Sequence, residues 1–381
     1  MQFNISPVQD HLELLAGGRW VPLSYVREGQ EVYLAATDPA ALWPSDALRK
    51  GDVSLRIGEE EVYGSAELIT SAAEKARVLS AFKEKYGDAL FSKWFAHPGR
   101  VLRIVIGAKS ADSGYFRWLE QEFDAVADDY DMHITGNSIN MLLRNRSLAF
   151  MGKVFKANSH LLEIGCGSGM ETMTMLSRGH EILALDISSR MLEIVKEKAE
   201  KMGLSSNLRV MKLKASEINS LLPIYGKGAF DGAYSTYGAL NCEPSLSSIP
   251  PALHALLNEN GSFVAGVYNR FCLFEMIAYA ATLNFGRLSG RFSTPVRQGL
   301  SRFCVDVYSY SLPEFISLFH PYFRRGSVEG VPVLLPPSDF DKYLRRFRRN
   351  FGILEKMDAW AGRRSLFRSL GDHFLLQLIR N

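Results

Sequence analysis

The pattern of apolar positions differs between the first 110 residues and the rest of the chain. The first part carries short runs of β-branched and aromatic residues, bounded by glycine, aspartate or proline, and such runs predict strands. The predicted strands are Trp20–Tyr25, Glu31–Ala36, Val53–Ile57, Val62–Ile69 and Val101–Ile106. Residues 71–86 instead repeat apolar side chains at helical spacing, with Ser71 as the N-cap. Several strands and one helix predict a small barrel or sandwich.

Strands and helices alternate in the second part, after a polar segment at Lys109–Gly114 and helical material over Phe116–Lys156. The predicted strands are Leu161–Ile164, Ile182–Leu185, Leu208–Leu213, Gly232–Ser235 and Ser262–Tyr268. Such alternation predicts a parallel sheet with right-handed crossovers. A helix at Leu312–Tyr322, a strand at Gly326–Leu335 and a final strand at His373–Ile379 follow.

Length and composition are those of a globular protein with two domains, which we place at residues 1–110 and 111–381. The net charge of +3 gives no global field that favours nucleic acid. The four cysteines form no CxxC pair, so neither a disulfide framework nor a metal site is expected. No signal peptide is visible, and the longest apolar run, Phe271–Phe285, is too short to span a bilayer. These features predict a cytoplasmic protein.

The segment Leu161–Gly169, LLEIGCGSG, carries the most specific chemistry. It is a strand followed by a glycine-rich turn and a helix, and such a turn brings backbone amides close to a ligand. Glu163 precedes the first glycine, and Asp186 ends the next strand, where a carboxylate holds both hydroxyls of a ribose. Ile187 and Met191 follow and are placed to sandwich an adenine ring. These acidic positions favour an adenosyl ligand over a dinucleotide.

These residues resemble the nucleotide-binding half of class I S-adenosylmethionine-dependent methyltransferases, in particular the small-molecule group typified by ubiquinone/menaquinone-biosynthesis enzymes. Phe123–Asp131 resembles the FDxxAxxYD segment that such enzymes place over the cofactor. Phe230–Ser235 and Leu257–Val264 are similar to their fourth strand and to the turn into their fifth. The resemblance covers residues 123–268 and implies an α/β, Rossmann-like fold in which the last strand is antiparallel.

The resemblance also implies which residues bind S-adenosylmethionine. They are Tyr130, Glu163, Gly165, Cys166, Gly167, Gly169, Asp186, Ile187, Met191, Ala215, Ser216, Ser235 and Tyr237. Ala215 stands where the family often has an acidic residue that holds the adenine amino group. Ser216 or backbone groups are the expected substitutes.

The acceptor side is predicted from the antiparallel last strand, which brings Asp372 and His373 to the carboxyl edge of the sheet. An Asp–His pair is a candidate general base, and Asn241, after the fourth strand, is a candidate acceptor contact. Capping and packing roles are the alternatives for all three residues. The segment 269–311 combines an apolar helical face with four arginines and predicts a lid over the acceptor. These arginines are Arg270, Arg287, Arg291 and Arg297.

The predicted function is therefore methyl transfer to a small acceptor that is apolar, anionic or lipid-like. No (Asn/Asp)-Pro-Pro-Tyr sequence follows the fourth strand, which disfavours nucleic acid as the acceptor. A second basic cluster indicates a solvated helix face or a contact with anionic substrate, membrane or RNA. It comprises Arg345, Arg346, Arg348 and Arg349. A binding or regulatory protein without turnover is an alternative, because of Ala215.

The first 110 residues weakly resemble the split barrels of pyridoxamine-phosphate-oxidase-like and deazaflavin-dependent nitroreductase proteins, through Arg19–Tyr25 above all. In that fold Arg19 would meet a flavin phosphate, which makes a bifunctional flavin-binding methyltransferase a further alternative. The glycine- and serine-rich phosphate-binding segment of the nitroreductases has no counterpart in this sequence. We therefore favour a barrel without flavin, which forms a homodimer or part of the substrate wall.

Overall fold

A computed structural model describes residues 12–381, apart from several short segments. These are residues 17–18, 38–40, 42, 51, 59, 70, 96–99, 108–114, 285–286, 288, 293–295, 297–304 and 341–350. The chain forms two compact units, Met1–Glu122 and Phe123–Asn381. Lys109–Gly114, where the sequence predicts the domain boundary, lies largely outside the described residues, and the division falls after Glu122.

The first unit contains one antiparallel seven-stranded sheet in the order β2-β1-β5-β6-β7-β4-β3. Its strands are β1 (Leu12–Ala16), β2 (Arg19–Leu23), β3 (Tyr25–Glu28), β4 (Glu31–Ala36), β5 (Asp52–Ile57), β6 (Glu60–Leu68) and β7 (Arg100–Ile106). The described strands thus form one sheet, not the two sheets of a sandwich. β1 was not predicted from the sequence, and the split-barrel resemblance stays a prediction.

Two helices accompany this sheet, α1 (Trp43–Lys50) and α2 (Ala72–Trp94). The predicted N-cap is confirmed, because the Ser71 side chain accepts a hydrogen bond from the amide of Glu74. Gly87 takes a left-handed φ of 77° and interrupts α2. The buried side of α2 packs against β3, where the Tyr86 hydroxyl donates to the carbonyl of Tyr25 over 2.8 Å.

The second unit contains a seven-stranded mixed sheet in the order β10-β9-β8-β11-β12-β14-β13. Its strands are β8 (His160–Ile164), β9 (Glu181–Asp186), β10 (Leu208–Lys212), β11 (Phe230–Ser235), β12 (Leu257–Tyr268), β13 (Phe323–Val331) and β14 (His373–Arg380). β8 to β12 are parallel, and β14 is antiparallel to both of its neighbours, as the resemblance implies. β12 begins at Leu257, earlier than predicted, because Leu257 already pairs with Phe230, and regular pairing resumes at Ser262 after an irregularity through residues 258–261.

Helices cover this sheet, and its own side chains form the core between them. The helices of the second unit are α4 (Tyr130–Thr135), α5 (Ser138–Val154), α6 (Met170–Ser177), α7 (Ser189–Lys201), α8 (Leu222–Tyr225), α9 (Ile249–Leu256), α10 (Leu273–Ala281), α11 (Leu312–Phe319) and α12 (Phe351–Gly362). They are preceded by α3 (Tyr115–Val126), which crosses the division between the units. Short 3₁₀ segments at Ala215–Leu221 and Ala239–Cys242 follow β10 and β11.

The strand order reverses between β8 and β11, since β9 continues from one side of β8 and β12 from the far side of β11. In open α/β sheets a ligand binds beyond the carboxyl ends of the strands at such a switch point. The topology therefore places a site beyond Ile164, Asp186 and Ser235. None of the helices in the described part of the chain is long and apolar enough to cross a bilayer.

Candidate functional site

The glycine turn after β8 is built from three residues with left-handed backbone angles. The φ angles of Gly165, Gly167 and Gly169 are 74°, 51° and 81°. A Cβ atom on Gly165 would overlap the side chain of Ala239, and one on Gly169 would lie 2.8 Å from Val195 Cγ2. Backbone conformation and close packing both require glycine at these two positions.

Gly167 faces a more open space, because the nearest atom to a Cβ placed there is Tyr130 Cε1 at 3.9 Å. The segment that carries Tyr130 is fastened over the turn. Ser168 Oγ donates to Asp131 Oδ1 over 2.5 Å, and Lys198 Nζ pairs with Asp131 while donating to the carbonyl of Ser168 over 2.7 Å. Burial raises the pKa of Tyr130 to about 12, so its hydroxyl keeps its proton at neutral pH.

Asp186 lies beside the glycine turn, as the sequence predicts. Its Oδ2 accepts the amide of Gly167 over 2.7 Å, and its Oδ1 accepts the amide of Ser188 over 2.9 Å. Each carboxylate oxygen keeps a second lone pair, so two hydroxyl groups can still donate to it. Burial raises the pKa of Asp186 against the opposing effect of these amides. Ile187 is half-buried, and Met191 is buried in the first turn of α7.

Glu163 is buried behind the turn, where it accepts a hydrogen bond from Thr172 Oγ1 over 2.6 Å. Burial raises its pKa to about 8, and the neighbouring carboxylate of Glu171 acts in the same direction. Glu163 is therefore largely protonated at neutral pH in the folded protein.

Replacing Glu163 with glutamine is expected to stabilise the fold increasingly as the pH rises from about 4.5 to about 8. The raised pKa means that the folded state holds a proton that the unfolded chain releases, so wild-type stability falls over this window by up to about 1.4 kcal/mol per pH unit. Urea unfolding of both proteins at several pH values measures the difference. Glu181→Gln, at the exposed start of β9, controls for the loss of one carboxyl group. A difference that stays constant with pH would contradict the prediction.

A buried ion pair that the sequence analysis missed joins α5 to α6. Arg144 pairs with Glu171, and its guanidinium lies 4.5 Å from the centre of the Tyr237 ring. Burial opposes ionisation of Arg144, but Glu171 and the other acidic groups nearby together outweigh it and raise the pKa of the guanidinium. Arg144 Nε and Glu171 Oε1 are both buried without a hydrogen-bond partner. The pair therefore has a spare donor and a spare acceptor for a charged ligand.

The chain turns sharply at the end of β11. Tyr237 and Gly238 have φ angles of 56° and 77°, and a left-handed conformation is costly for tyrosine. This turn places Tyr237 between two parts of the site, because its ring faces Arg144 and also stacks 6.3 Å from the ring of His373. Ser235, just before it, is buried with its Oγ atom lacking a hydrogen-bond partner.

Asn241 is held in place by backbone groups, and its predicted contact with the acceptor stays a prediction. Its Nδ2 donates to the carbonyls of Tyr268 and Tyr308 over 3.1 and 2.6 Å, and its Oδ1 accepts the amide of Tyr268 over 2.9 Å. Both donors of the side chain and one acceptor position are thereby used by the backbone. Asn241 ties the end of β12 to the segment before α11.

The loop after β10 receives a carboxylate from another part of the chain. Glu243 Oε1 accepts the amide of Ser216 over 3.3 Å, and the amide of Ala215 also stabilises the charged form of Glu243. Glu243 is buried, which raises its pKa. Ala215 itself has no acidic side chain, but the carboxylate of Glu243 lies beside the same loop. Glu243 comes 27 positions after Ser216 along the chain.

Asp372 and His373 form the predicted pair at the start of β14. Asp372 Oδ2 lies 3.0 Å from His373 Nδ1, so the carboxylate orients the ring and leaves Nε2 for other contacts. The ring lies between those of Tyr237 and Tyr268, at centroid distances of 6.3 and 5.4 Å. Nε2 would lie 3.7 Å from a Cβ atom placed on Gly238, on the turn that follows β11. The pair is thus beside the β11 end of the site.

Arg291 extends this pair into a buried network. It donates to Asp372 Oδ1 over 2.5 Å and to both carboxylate oxygens of Glu275 over 2.7 and 2.6 Å. Burial opposes ionisation of Asp372, but Arg291 and His373 outweigh it and hold its pKa well below its usual range. Cys272, Glu275 and Asp372 have the spacing of a cation site, but the guanidinium of Arg291 already occupies both carboxylates.

The arginines of the predicted lid therefore differ in role. Arg291 is neutralised inside the protein, and Arg270 pairs with Glu314 over 2.8 Å, so neither is available to an anionic acceptor. Arg287 is exposed. Arg297 and the basic cluster at residues 345–349 lie outside the described residues. The charges of the described lid thus stabilise the fold and the Asp372–His373 pair.

Comparison with known proteins shows that part of this unit is similar to methyltransferase domains. Residues 161–261 match the family model of a methyltransferase domain. The tRNA 5-carboxymethoxyuridine methyltransferase of Escherichia coli is 28% identical over 110 residues, which are 27% of this chain and 41% of that protein. The 18S rRNA (guanine-N(7))-methyltransferase bud23 of Schizosaccharomyces pombe is 30% identical over 112 residues, 29% of this chain and 38% of that protein.

A similar solved structure is the 1,6-didemethyltoxoflavin-N1-methyltransferase of Burkholderia thailandensis with bound 1,6-didemethyltoxoflavin and S-adenosylhomocysteine. It is 16% identical, with a TM-score of 0.43, and the match covers 72% of this chain and 92% of that one. The chain spans about two fifths of the length of the curated relatives it matches.

Proposed function

We propose that the second unit, a class I S-adenosylmethionine-dependent methyltransferase domain, methylates a small apolar or lipid-like acceptor whose reacting atom carries a proton. The observation that carries this proposal is the Asp372–His373 pair beside the turn after β11. The glycine turn and Asp186 lie at the carboxyl ends of the neighbouring strands β8 and β9. A cofactor cradle and a candidate base thus lie at the same edge of one sheet.

The charges of the site fit S-adenosylmethionine, which carries one carboxylate and two cationic groups. Glu171 and Asp186 are buried around the turn with the largely protonated Glu163, and Arg144 is the buried cation beside them. The open side of the turn at Gly167 leaves room for close approach of a ligand to the backbone. In our proposal Asp186 accepts the ribose hydroxyls, and Arg144 binds the methionine carboxylate with its spare donor.

The adenine end is assigned to Ile187 and Met191, which follow Asp186, and to the backbone of Ala215 and Ser216. Glu243 holds the amides of this loop, so its role in the proposal is to position the backbone that faces adenine. In our proposal Tyr130 covers the cofactor at the glycine turn. The contacts of Asp131 with Ser168 and Lys198 hold the segment that carries Tyr130 on this turn.

When bound, S-adenosylmethionine would supply an electrophilic methyl carbon attached to its sulfonium. The acceptor atom would form a bond to this carbon in line with the carbon–sulfur bond, which breaks and leaves its electron pair on sulfur. His373 Nε2 takes the proton that the acceptor atom loses. Asp372 holds the opposite nitrogen of the ring and stabilises the imidazolium that forms. Burial raises the pKa of both Tyr237 and Tyr268, so the flanking phenols stay neutral and exclude water.

An apolar acceptor is supported by the residues around this pair. Phe271 and Phe292 pack edge to face at 5.5 Å, and Phe292 directly follows Arg291, which binds Asp372. Because Arg270 and Arg291 are already paired, these two arginines add no free positive charge beside this aromatic pair. A neutral, apolar part of the acceptor is therefore favoured at this position.

The protein is expected to transfer tritium from S-[methyl-³H]adenosylmethionine into the lipid phase of an extract from the organism that encodes it. His373→Gln should lower kcat by about 100-fold to 10,000-fold, because the base is lost, while KM for S-adenosylmethionine changes little. His254→Gln, an imidazole that packs on Tyr322, is the matched control and should keep wild-type turnover.

If wild type and His373→Gln turned over equally fast, His373 would not be the base. The assignment of the residues that bind S-adenosylmethionine would be unaffected by this result. Label that appears only in the RNA fraction would instead support the second candidate, RNA methylation, which rests on the RNA substrates named for two relatives. Nucleic acid is not excluded by those relatives. Flavin binding and homodimer formation by the first unit stay predictions.

A further inference from the structure

The outer side of α12 carries an apolar stripe. The inner side packs Phe351 and Leu354 on the core, and the buried Asp358 accepts three backbone amides over 2.7 to 3.0 Å. Ile353, Met357 and Trp360 repeat at intervals of four and three residues, so they share the opposite side of the helix. Each is more than half exposed, at 64%, 53% and 58%. The fold needs apolar side chains only on the inner side of α12, so packing does not explain the apolar residues on its outer side.

Further exposed apolar residues lie on elements connected to α12. Leu366, in the turns after α12, is 70% exposed. The amide of Leu273, at the start of α10, donates to the carbonyl of Leu370 over 2.8 Å, so α10 begins where these turns end. α10 leaves Met276 and Ile277 exposed, while Glu275 faces the buried Arg291. We call Ile353, Met357, Trp360, Leu366, Met276 and Ile277 the outer face.

Positive charge flanks α12 in the described part of the chain. Residues 351–368 contain four lysines and arginines against two acidic residues, of which Asp358 is buried. Lys356 and Arg364 are exposed in the described part, and the Arg364 guanidinium lies 4.7 Å from the centre of the Trp360 ring. Exposed aliphatic and indole side chains with flanking lysine and arginine are the features of a helix that lies in the interface of an anionic bilayer.

We propose that the outer face docks on the surface of a membrane that contains anionic lipid. α12 has 12 residues and is too short to cross a bilayer, so it lies along the surface. RNA is disfavoured as the occupant, because five of the six residues of the outer face are aliphatic or methionine side chains, which leaves Trp360 as its one ring for base stacking. A second copy is disfavoured too, since two faces of like charge would repel each other.

Docking would also bring the membrane close to the candidate site. Glu275 on α10 contacts Arg291, and Arg291 contacts Asp372, so the helix that exposes Met276 and Ile277 also forms part of the wall behind the base. A lipid-like acceptor would then reach the site from the bilayer. The docking surface is nevertheless a separate claim from the acceptor, because vesicle binding needs no turnover.

Sedimentation of the full chain with vesicles tests the proposal. Vesicles of phosphatidylcholine with about 30 mol % phosphatidylglycerol should bind about tenfold more protein than phosphatidylcholine alone, and higher salt should weaken this preference. The combined variant Ile353→Ser, Met357→Ser and Trp360→Ser should lose about tenfold in partitioning. Met202→Ser with Ile224→Ser, two exposed apolar residues outside the outer face, should bind as wild type does.

Unchanged thermal unfolding and S-adenosylhomocysteine binding of the triple variant show that the fold and the cofactor site are intact. No preference of wild type for anionic vesicles would overturn the proposal. A loss of RNA binding or of a concentration-dependent dimer in the triple variant, without vesicle binding in wild type, would assign the face to RNA or to a second copy. Methyl transfer to lipid in detergent, without vesicle docking, would leave the proposed function standing and refute the docking.

Discussion

Asp186→Ala is expected to bind S-adenosylhomocysteine about 100-fold more weakly than wild type, a loss of about 2.8 kcal/mol. The carboxylate of Asp186 already binds the amides of Gly167 and Ser188, so it is held rigidly for two further donors. Removal of the side chain takes away both acceptor oxygens and also leaves two amides without their partner. Isothermal titration calorimetry measures the affinity directly, with no need to know the acceptor.

Two companion variants make this result interpretable. Asp186→Asn keeps the size of the side chain and one acceptor oxygen, so its affinity should lie between those of wild type and Asp186→Ala. Asp128→Asn removes a carboxylate from an exposed pair with Arg190 and should bind as wild type does. If Asp186→Ala bound S-adenosylhomocysteine as tightly as wild type, the assigned ribose site would be wrong.

The second large effect is expected on stability, for Gly362→Ala at the end of α12. A Cβ atom on Gly362 would overlap the carbonyl oxygen of Gly330 in β13, and backbone atoms on both sides leave no side chain to move away. Overpacking of this kind lowers the free energy of unfolding by about 1–3 kcal/mol. A loss of about 2 kcal/mol would lower the Tm of the second unit by roughly 4–8 °C. Differential scanning calorimetry with and without S-adenosylhomocysteine identifies the transition of the second unit.

Gly352→Ala, on the same helix, is the matched control because no atom lies within 4 Å of its added Cβ. Alanine favours the helix over glycine by about 0.5–1 kcal/mol, so this variant should unfold at the wild-type temperature or slightly above it. If Gly362→Ala unfolded at the same temperature as Gly352→Ala, α12 and β13 would not pack as closely as described.

The cofactor half was predictable because its signals are local in sequence. The strand that ends at Ile164, the glycines that follow it and the carboxylate at the end of β9 all lie within 27 residues, from His160 to Asp186. Strand alternation and the glycine pattern predict each element there to within two residues of its described bounds. The meeting of Gly167 with Asp186 then follows from parallel pairing of neighbouring strands.

The charge pairs of the site were not predictable in this way. Arg144 and Glu171 lie 27 residues apart, and Arg291 and Asp372 lie 81 residues apart. Any of several arginines could satisfy a buried carboxylate, so the sequence does not show which one does. Arg144 gives no signal either, because residues 144–147, RNRS, form a polar stretch of the predicted helix.

Asn241 shows why a polar loop residue is ambiguous. Its amide offers two donors and one acceptor oxygen, and these suit a substrate and a neighbouring backbone equally well. The segment around Tyr308 comes 67 residues later, so the sequence gives no reason to expect its carbonyl at Asn241. Only the folded arrangement of β12 and the segment before α11 reveals the backbone contacts.

The position of β14 has a consequence for how the protein is made. β14 is the last strand of its sheet to be synthesised, yet it inserts between β12 and β13, and β13 has β14 as its neighbour. While residues 373–380 are still inside the ribosome, one edge of β12 is therefore unpaired, and β13 has no neighbouring strand in the sheet. The same segment carries His373. Completion of the sheet and acquisition of the proposed base are thus a single event for the nascent chain.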